Sequence, residues 1–155
     1  MRNWVNEWVQ QGRLCVWRYA DPRRGWRGWH LAADPVGCRS VRSLLDRMHG
    51  GDSCYRTLTL EPVTDAILSV PNYGGKALGR FEKLRIAYLP EFEELSLSPE
   101  SEMLVMTVGP PRLRKLAAAF AEVEVGLGDF GIVTSDGRKA ERWMFWWMLN
   151  ENIRG

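Results

Sequence analysis

A chain of 155 residues, 45% hydrophobic and 26% charged, is sized for one domain with a real core. This excludes disorder, collagen-like repetition and a disulfide scaffold as descriptions of the whole chain. A net charge of +2, from 21 basic and 19 acidic residues, is too small to imply nucleic acid or a membrane surface by itself.

The chain opens with Trp4, Val5, Trp8 and Val9 at helical spacing, which predicts a short amphipathic helix over 4–11. Asn3 is placed to cap it and Gly12 to end it. Residues 13–19 then alternate, with Leu14 and Val16 on one face and Cys15, Trp17 and Tyr19 on the other, as in a strand. The turn signal Asp21-Pro22-Arg23-Arg24-Gly25 brings the chain back as a second strand over 26–32, completing a hairpin. After Asp34-Pro35, the spacing of Val41, Leu44, Leu45 and Met48 predicts a helix. Ser40 is its expected N-cap, Gly50-Gly51 closes it, and Arg39, Arg42 and Arg47 lie on its outer face. Residues 55–60 read as a strand, and 62–70 as a short helix capped by Thr64 and ended by Pro71.

Residues 72–80, with three glycines in nine positions, read as a loop. A strand over 82–89 follows, with Leu84, Ile86 and Tyr88 on one face. Residues 92–97 and 102–108 form a hairpin around Ser98-Pro99-Glu100-Ser101, and the run from Met103 to Val108, apolar on both faces, reads as a central strand. Pro110-Pro111 open a helix lined by Leu113, Leu116, Ala117, Phe120 and Val123, which Gly126-Leu127-Gly128 end. Strands over 129–134 and 142–149 pair across Ser135-Asp136-Gly137. The second also fits a helical period, and its aromatic content decides for the strand. Strands arrive as hairpin neighbours instead of βαβ units. The expected fold is therefore α+β: a single domain with a mostly antiparallel sheet of about six or seven strands and two or three helices on one face. No internal repeat and no linker long enough to mark a boundary is visible.

The motifs that resemble chemistry fail on context. Gly126 to Gly131 matches G-x-G-x-x-G, yet a helix precedes it and a strand follows, the reverse of a dinucleotide fingerprint. Gly74 and Gly79 have phosphate-loop spacing, but Arg80-Phe81 stands where Lys-Ser/Thr is required. Cys15, Cys38 and Cys54 are odd in number and without C-x-x-C spacing, so free thiols in a reducing, cytoplasmic setting are expected. A zinc set from Cys38, His49 and Cys54 lacks a fourth ligand. The two histidines, His30 and His49, read as structural. No cofactor or metal is expected, and an enzyme finds no support. Residues Met1 to Glu7 show no apolar stretch of a signal peptide, and no run approaches the ~20 residues of a membrane span.

Two features retain a functional reading. Residues 1–60 carry ten arginines, no lysine and five acids. In the first hairpin Trp17, Tyr19, Trp26 and Trp29 interleave with Arg18, Arg23, Arg24 and Arg27, a mixture suited to interface anchors or to stacking on bases. The candidate binding residues are Trp17, Tyr19, Arg23, Arg24, Trp26, Arg27 and Trp29. The second feature is Arg112, Arg114 and Lys115 at the start of a helix that ends in Glu122 and Glu124, against the macrodipole at about 0.3–1 kcal/mol per charge. These three form a candidate anion site. The preferred reading, however, pairs them with the acidic segment 91–102, which holds five glutamates and no base.

The expected function is a small non-enzymatic binding protein, adaptor- or inhibitor-like, that engages another protein through the hairpin. The first alternative is a nucleic-acid-binding module using the same hairpin with Arg39, Arg42 and Arg47. The second is an enzyme whose site motif spacing cannot show. Eight tryptophans in 155 residues, clustered at Trp4/Trp8, Trp17/Trp26/Trp29 and Trp143/Trp146/Trp147, are otherwise assigned to packing.

Overall fold

Hydrophobic alternation along Leu14–Trp17 (β1) and Trp29–Ala33 (β2) builds an antiparallel pair with Leu14 opposite Ala33 and Trp17 opposite His30. The coordinates are a computed structural model and describe residues 4–20, 28–68, 76–126, 130–133 and 142–147. The remaining elements are α1 (Pro35–Met48), β3 (Cys54–Thr59), α2 (Asp65–Leu68), β4 (Lys83–Tyr88), β5 (Leu95–Glu100), β6 (Met103–Val108), α3 (Pro110–Glu124), β7 (Phe130–Val133) and β8 (Arg142–Trp147).

The fold is α+β, with two four-stranded sheets ordered β1-β2-β8-β7 and β3-β4-β6-β5. The outer pairs of both are antiparallel; three of them are the hairpins the sequence predicts, and the fourth, β3 with β4, forms across α2. The central pairs, β2 with β8 and β4 with β6, are parallel. The sheets are therefore mixed, because each joins two antiparallel pairs through a parallel contact between their inner strands. Beneath this lies a topological repeat with no trace in the residues: β1-β2-α1-β3-β4 and β5-β6-α3-β7-β8 share one order, apart from the added α2. Each sheet combines the leading hairpin of one half with the trailing pair of the other.

One core cluster draws on both sheets, with Leu14, Leu31 and Phe145 from the first, Ile86 and Met106 from the second, and Leu44 and Phe120 from α1 and α3. The opposite face of the first sheet is covered as well. There Cys15, Trp17, Tyr19 and Ala32 pack with Ile67 and Leu68 of α2, Val63 and Trp146.

Several local expectations change. Residues 4–7 form a turn and 8–11 carry no helix, so the expected helix over 4–11 is absent. Eight residues are too few to stabilise a free helix, and specific anchors prevail. Trp8 Nε1 donates to the Ser40 carbonyl at 2.7 Å, and the Gln10 amide exchanges two 2.8 Å bonds with the backbone of Thr59 on the edge of β3. Helix α1 begins at Pro35, not after Ser40. Asp34 is its N-cap, accepting from Gly37 N at 2.6 Å with proline in the first turn, while Ser40 Oγ accepts from Gln11 N. Gly12, at φ +77°, sits so close to Gly37 that a Cβ would strike its backbone.

Strand β5 runs on through Pro99, and the turn moves to Ser101, at φ +60°. An edge strand tolerates a residue without an N–H. Residues 142–147 are a strand, resolving the double periodicity, and β8 lies between β2 and β7. Part of the expected loop over 72–80 adds to the edge beyond β1: Ala20 N donates to Lys76 O and Leu78 N to Arg18 O.

Arginine and aromatic residues are used together. Arg47 lies over Trp4 at 4.3 Å, Arg18 over Trp29 at 4.8 Å, Arg56 over Trp8 at 5.4 Å and Arg85 over Tyr55 at 4.5 Å.

Candidate functional site

The first hairpin places its aromatic residues inside. Trp17, Tyr19 and Trp29 are 1%, 2% and 1% exposed. Alternation places Trp17 and Tyr19 on the face opposite Leu14, as observed. Both faces of the first sheet are covered, however, so none of the three rings is offered to a partner. Trp17 stacks on the fully buried His30 at 5.5 Å, and the Tyr19 hydroxyl donates to the Leu68 carbonyl at 2.8 Å. Trp29 meets Phe81 edge-on at 5.1 Å on the core side. Arg23, Arg24, Trp26 and Arg27 lie outside the described residues.

The three charges at the start of α3 part company. Arg112 is buried, Lys115 is exposed, and Arg114 lines a groove. The helix start itself is covered by the 91–94 segment. Gly109 N donates to Glu94 O at 3.1 Å, and a Cβ at Gly109 would collide with the Phe92 carbonyl. The acidic stretch is thus brought to this helix end through its backbone. The acid at the far end of α3 is answered by α1: Glu124 accepts from Arg42 Nη1 at 2.6 Å, and Arg39 Nη1 stands 3.6 Å away. That ion pair offsets the unfavourable helix-dipole contact.

These contacts also show how the two long helices lie. Arg42 of α1 meets the end of α3, while Arg114 near the start of α3 donates through Nε to His49 Nε2 at 3.4 Å. The helices are antiparallel, and between them runs an open groove of about 660 Å³. Arg39, Arg42, Arg114 and His49 line it with Ser43 and Asp46, over a floor of Leu45, Leu113 and Ala117. On the other flank of α1, Arg39 and Ser43 also line a recess of about 370 Å³ together with Arg47, Trp8, Val9 and Val36. Val9 is 72% exposed, Val36 40% and nearby Trp4 49%, so apolar surface adjoins the arginines.

Sequence reading places Arg39, Arg42 and Arg47 outward. It misses Arg114 and His49 as their neighbours, since only the docking of α1 on α3 brings them together.

The thiols are unsuited to nucleophilic work. Burial pushes Cys15 up to about 12, helped by the negative charge of Glu61. Burial likewise pushes Cys38 up to about 12, with Glu124 and Asp34 adding to it. Cys54 is raised as well, first by burial and then by Asp52. On the surface, Glu102 is raised by its hydrogen bond to Glu82 and by that neighbour's charge, while Arg80 Nη2 holds Glu82 at 2.9 Å. Among the described residues no group of three or more histidine, cysteine or acidic side chains is arranged to hold a metal ion, and no helix is long and apolar enough to cross a membrane. Comparison with protein-family models, curated proteins and solved structures finds no match to this chain.

Proposed function

We propose that the chain is a binding protein that engages another protein through the outward face of α1, with Arg114 of α3 completing that face. The observation carrying this reading is the meeting of four arginines with exposed apolar side chains. Arg39, Arg42, Arg47 and Arg114 border two recesses that flank one helix, and Val9, Val36 and Trp4 lie beside them. Arginine and aromatic anchors within apolar surface are the composition of protein interfaces. A surface built only to hold phosphates needs the charges but not the valines. The reading is that of an adaptor- or inhibitor-like protein without catalysis of its own.

The test is affinity capture from native lysate after nuclease treatment, comparing the wild-type chain with Val36→Glu and Arg39→Glu. Both residues are exposed, so both variants keep the fold. The expected result is one protein recovered in stoichiometric amount by the wild type and lost with either variant. Loss of all bound material on nuclease treatment, or capture indifferent to both substitutions, overturns the reading.

A further inference from the structure

We propose that the groove between α1 and α3 receives an acidic helical segment of the protein partner, one carboxylate of which sits between Arg114 and His49. The inference rests on the binding face described above and assigns the chemistry of its occupant.

Two observations at opposite ends of the groove carry it. At one end the chain's own Glu124 lies against Arg42 and Arg39, its oxygens at 2.6 and 3.6 Å, so these arginines already hold a carboxylate. At the other end Arg114 meets no acid among the described residues. Its Nε donates to His49 Nε2 at 3.4 Å, a long contact between two basic groups, and it makes no ion pair among the described residues. A guanidinium carries five donors in a planar fork, and a carboxylate accepts two of them in parallel. The Arg114 end thus has donors to spare and a histidine beside them.

Spacing selects the kind of segment. At 1.5 Å per residue, the levels of His49 and Arg42 on α1 are about 10 Å apart, and those of Arg114 and Glu124 on α3 about 15 Å. A helix with acids about seven residues apart spans the first of these distances. One acid reaches Arg114 and His49, and the other reaches the exposed Arg42, whose guanidinium has donors beyond the one given to Glu124. Between the ends, Asp46 repels a third acid, while half-buried Ala117 over buried Leu45 and Leu113 accepts a small apolar side chain. Helix-in-groove recognition of this type combines an apolar strip with charged ends.

The probe is a synthetic amphipathic peptide with glutamates about seven residues apart and alanines and leucines between them, measured by calorimetry and by NMR of the two imidazoles. The expected result is saturable binding weakened at least tenfold by Arg114→Gln or by replacing the glutamates with glutamine. The control Arg80→Gln, on the distant Glu82 pair, leaves affinity unchanged. On binding, the His49 resonances shift and those of buried His30 do not. Absence of binding, equal binding by the glutamine peptide, or an unaltered Kd in Arg114→Gln overturns the assignment. So does displacement of the peptide by a short single-stranded oligonucleotide that binds more tightly. If lysate capture still depends on Arg39 and Val36 while the peptide fails, the binding face stands and only its acidic helical occupant falls.

Discussion

Trp146 Nε1 donates to His30 Nδ1 across 3.0 Å, tying β8 to β2 on the face of the first sheet away from the main core. The imidazole therefore carries no proton on Nδ1, and its ring is stacked between Trp17 and Trp146 at 5.5 and 6.1 Å. A residue without any exposed surface and with an indole aimed at it is a structural element of this sheet.

His30→Ala removes both the acceptor and the ring, leaving the half-buried Trp146 N–H without this acceptor and a cavity beside Trp17. The expected loss is about 3 kcal/mol, read as a lower urea midpoint. Trp146→Phe keeps most of the ring and removes only the donor, for a loss of about 1 kcal/mol. Equal effects of the two substitutions would show that the stacking and the hydrogen bond are not separable in this way.

The buried thiols contribute to a fall in stability at alkaline pH. Cys15 and Cys38 ionise near 9.0 when unfolded and near 12 when folded, so between these values the folded state holds protons that the unfolded state has released. Their contribution is complete below pH 9 and is lost as pH climbs toward 12. Replacing both by alanine flattens the decline in this window when unfolding free energy is measured against pH. In native protein a disulfide reagent modifies the half-buried Cys54 first, and Cys15 and Cys38 react only on unfolding.

Asp34 does two things with one oxygen: Oδ1 accepts from Gly37 N at 2.6 Å and from Arg13 N at 2.9 Å, capping α1 and tying it to the start of β1. Asp34→Ala is expected to cost about 1–2 kcal/mol, and Asp34→Asn much less, since the amide oxygen still accepts. Thermal unfolding of the pair of variants distinguishes the cap from the charge.

The interlocked halves make a prediction about fragments. Because each sheet needs strands from both halves, residues 1–90 alone lack β8, the parallel partner of β2, and residues 91–155 lack β4, the parallel partner of β6. Neither fragment is expected to unfold cooperatively by itself, whereas the two co-expressed should assemble into a complex with the near-ultraviolet dichroism of the intact chain. A cooperative transition in either fragment alone contradicts the strand exchange.

Much of this architecture is legible in the residues. Alternation along 13–19 and 82–89, the proline pair that opens α3 and the glycines after it mark elements whose period and caps are local properties, decided by neighbours within a turn or two. Alternation even assigned Trp17 and Tyr19 to the face opposite Leu14. What no local pattern carries is whether that second face is covered. A short helix and the segment preceding it, supplied by residues 61–68, decide that, and they turn candidate contact rings into interior packing. The Asp34-Pro35 signal is equally local, yet it serves as a cap and first turn and not as a break, because the chain beyond it is already helical.

The periodicity and order of the elements by themselves bounded the protein to an α+β fold, and composition gave it an arginine-rich first half. The tertiary structure decided which of those arginines gather. Arg42 and Glu124, separated by most of the chain, meet at 2.6 Å, and Arg114 meets His49, because α1 and α3 pack antiparallel around the common core. Pairing over such separations depends on the burial of whole faces, summed over the molecule, and no window of sequence contains that sum.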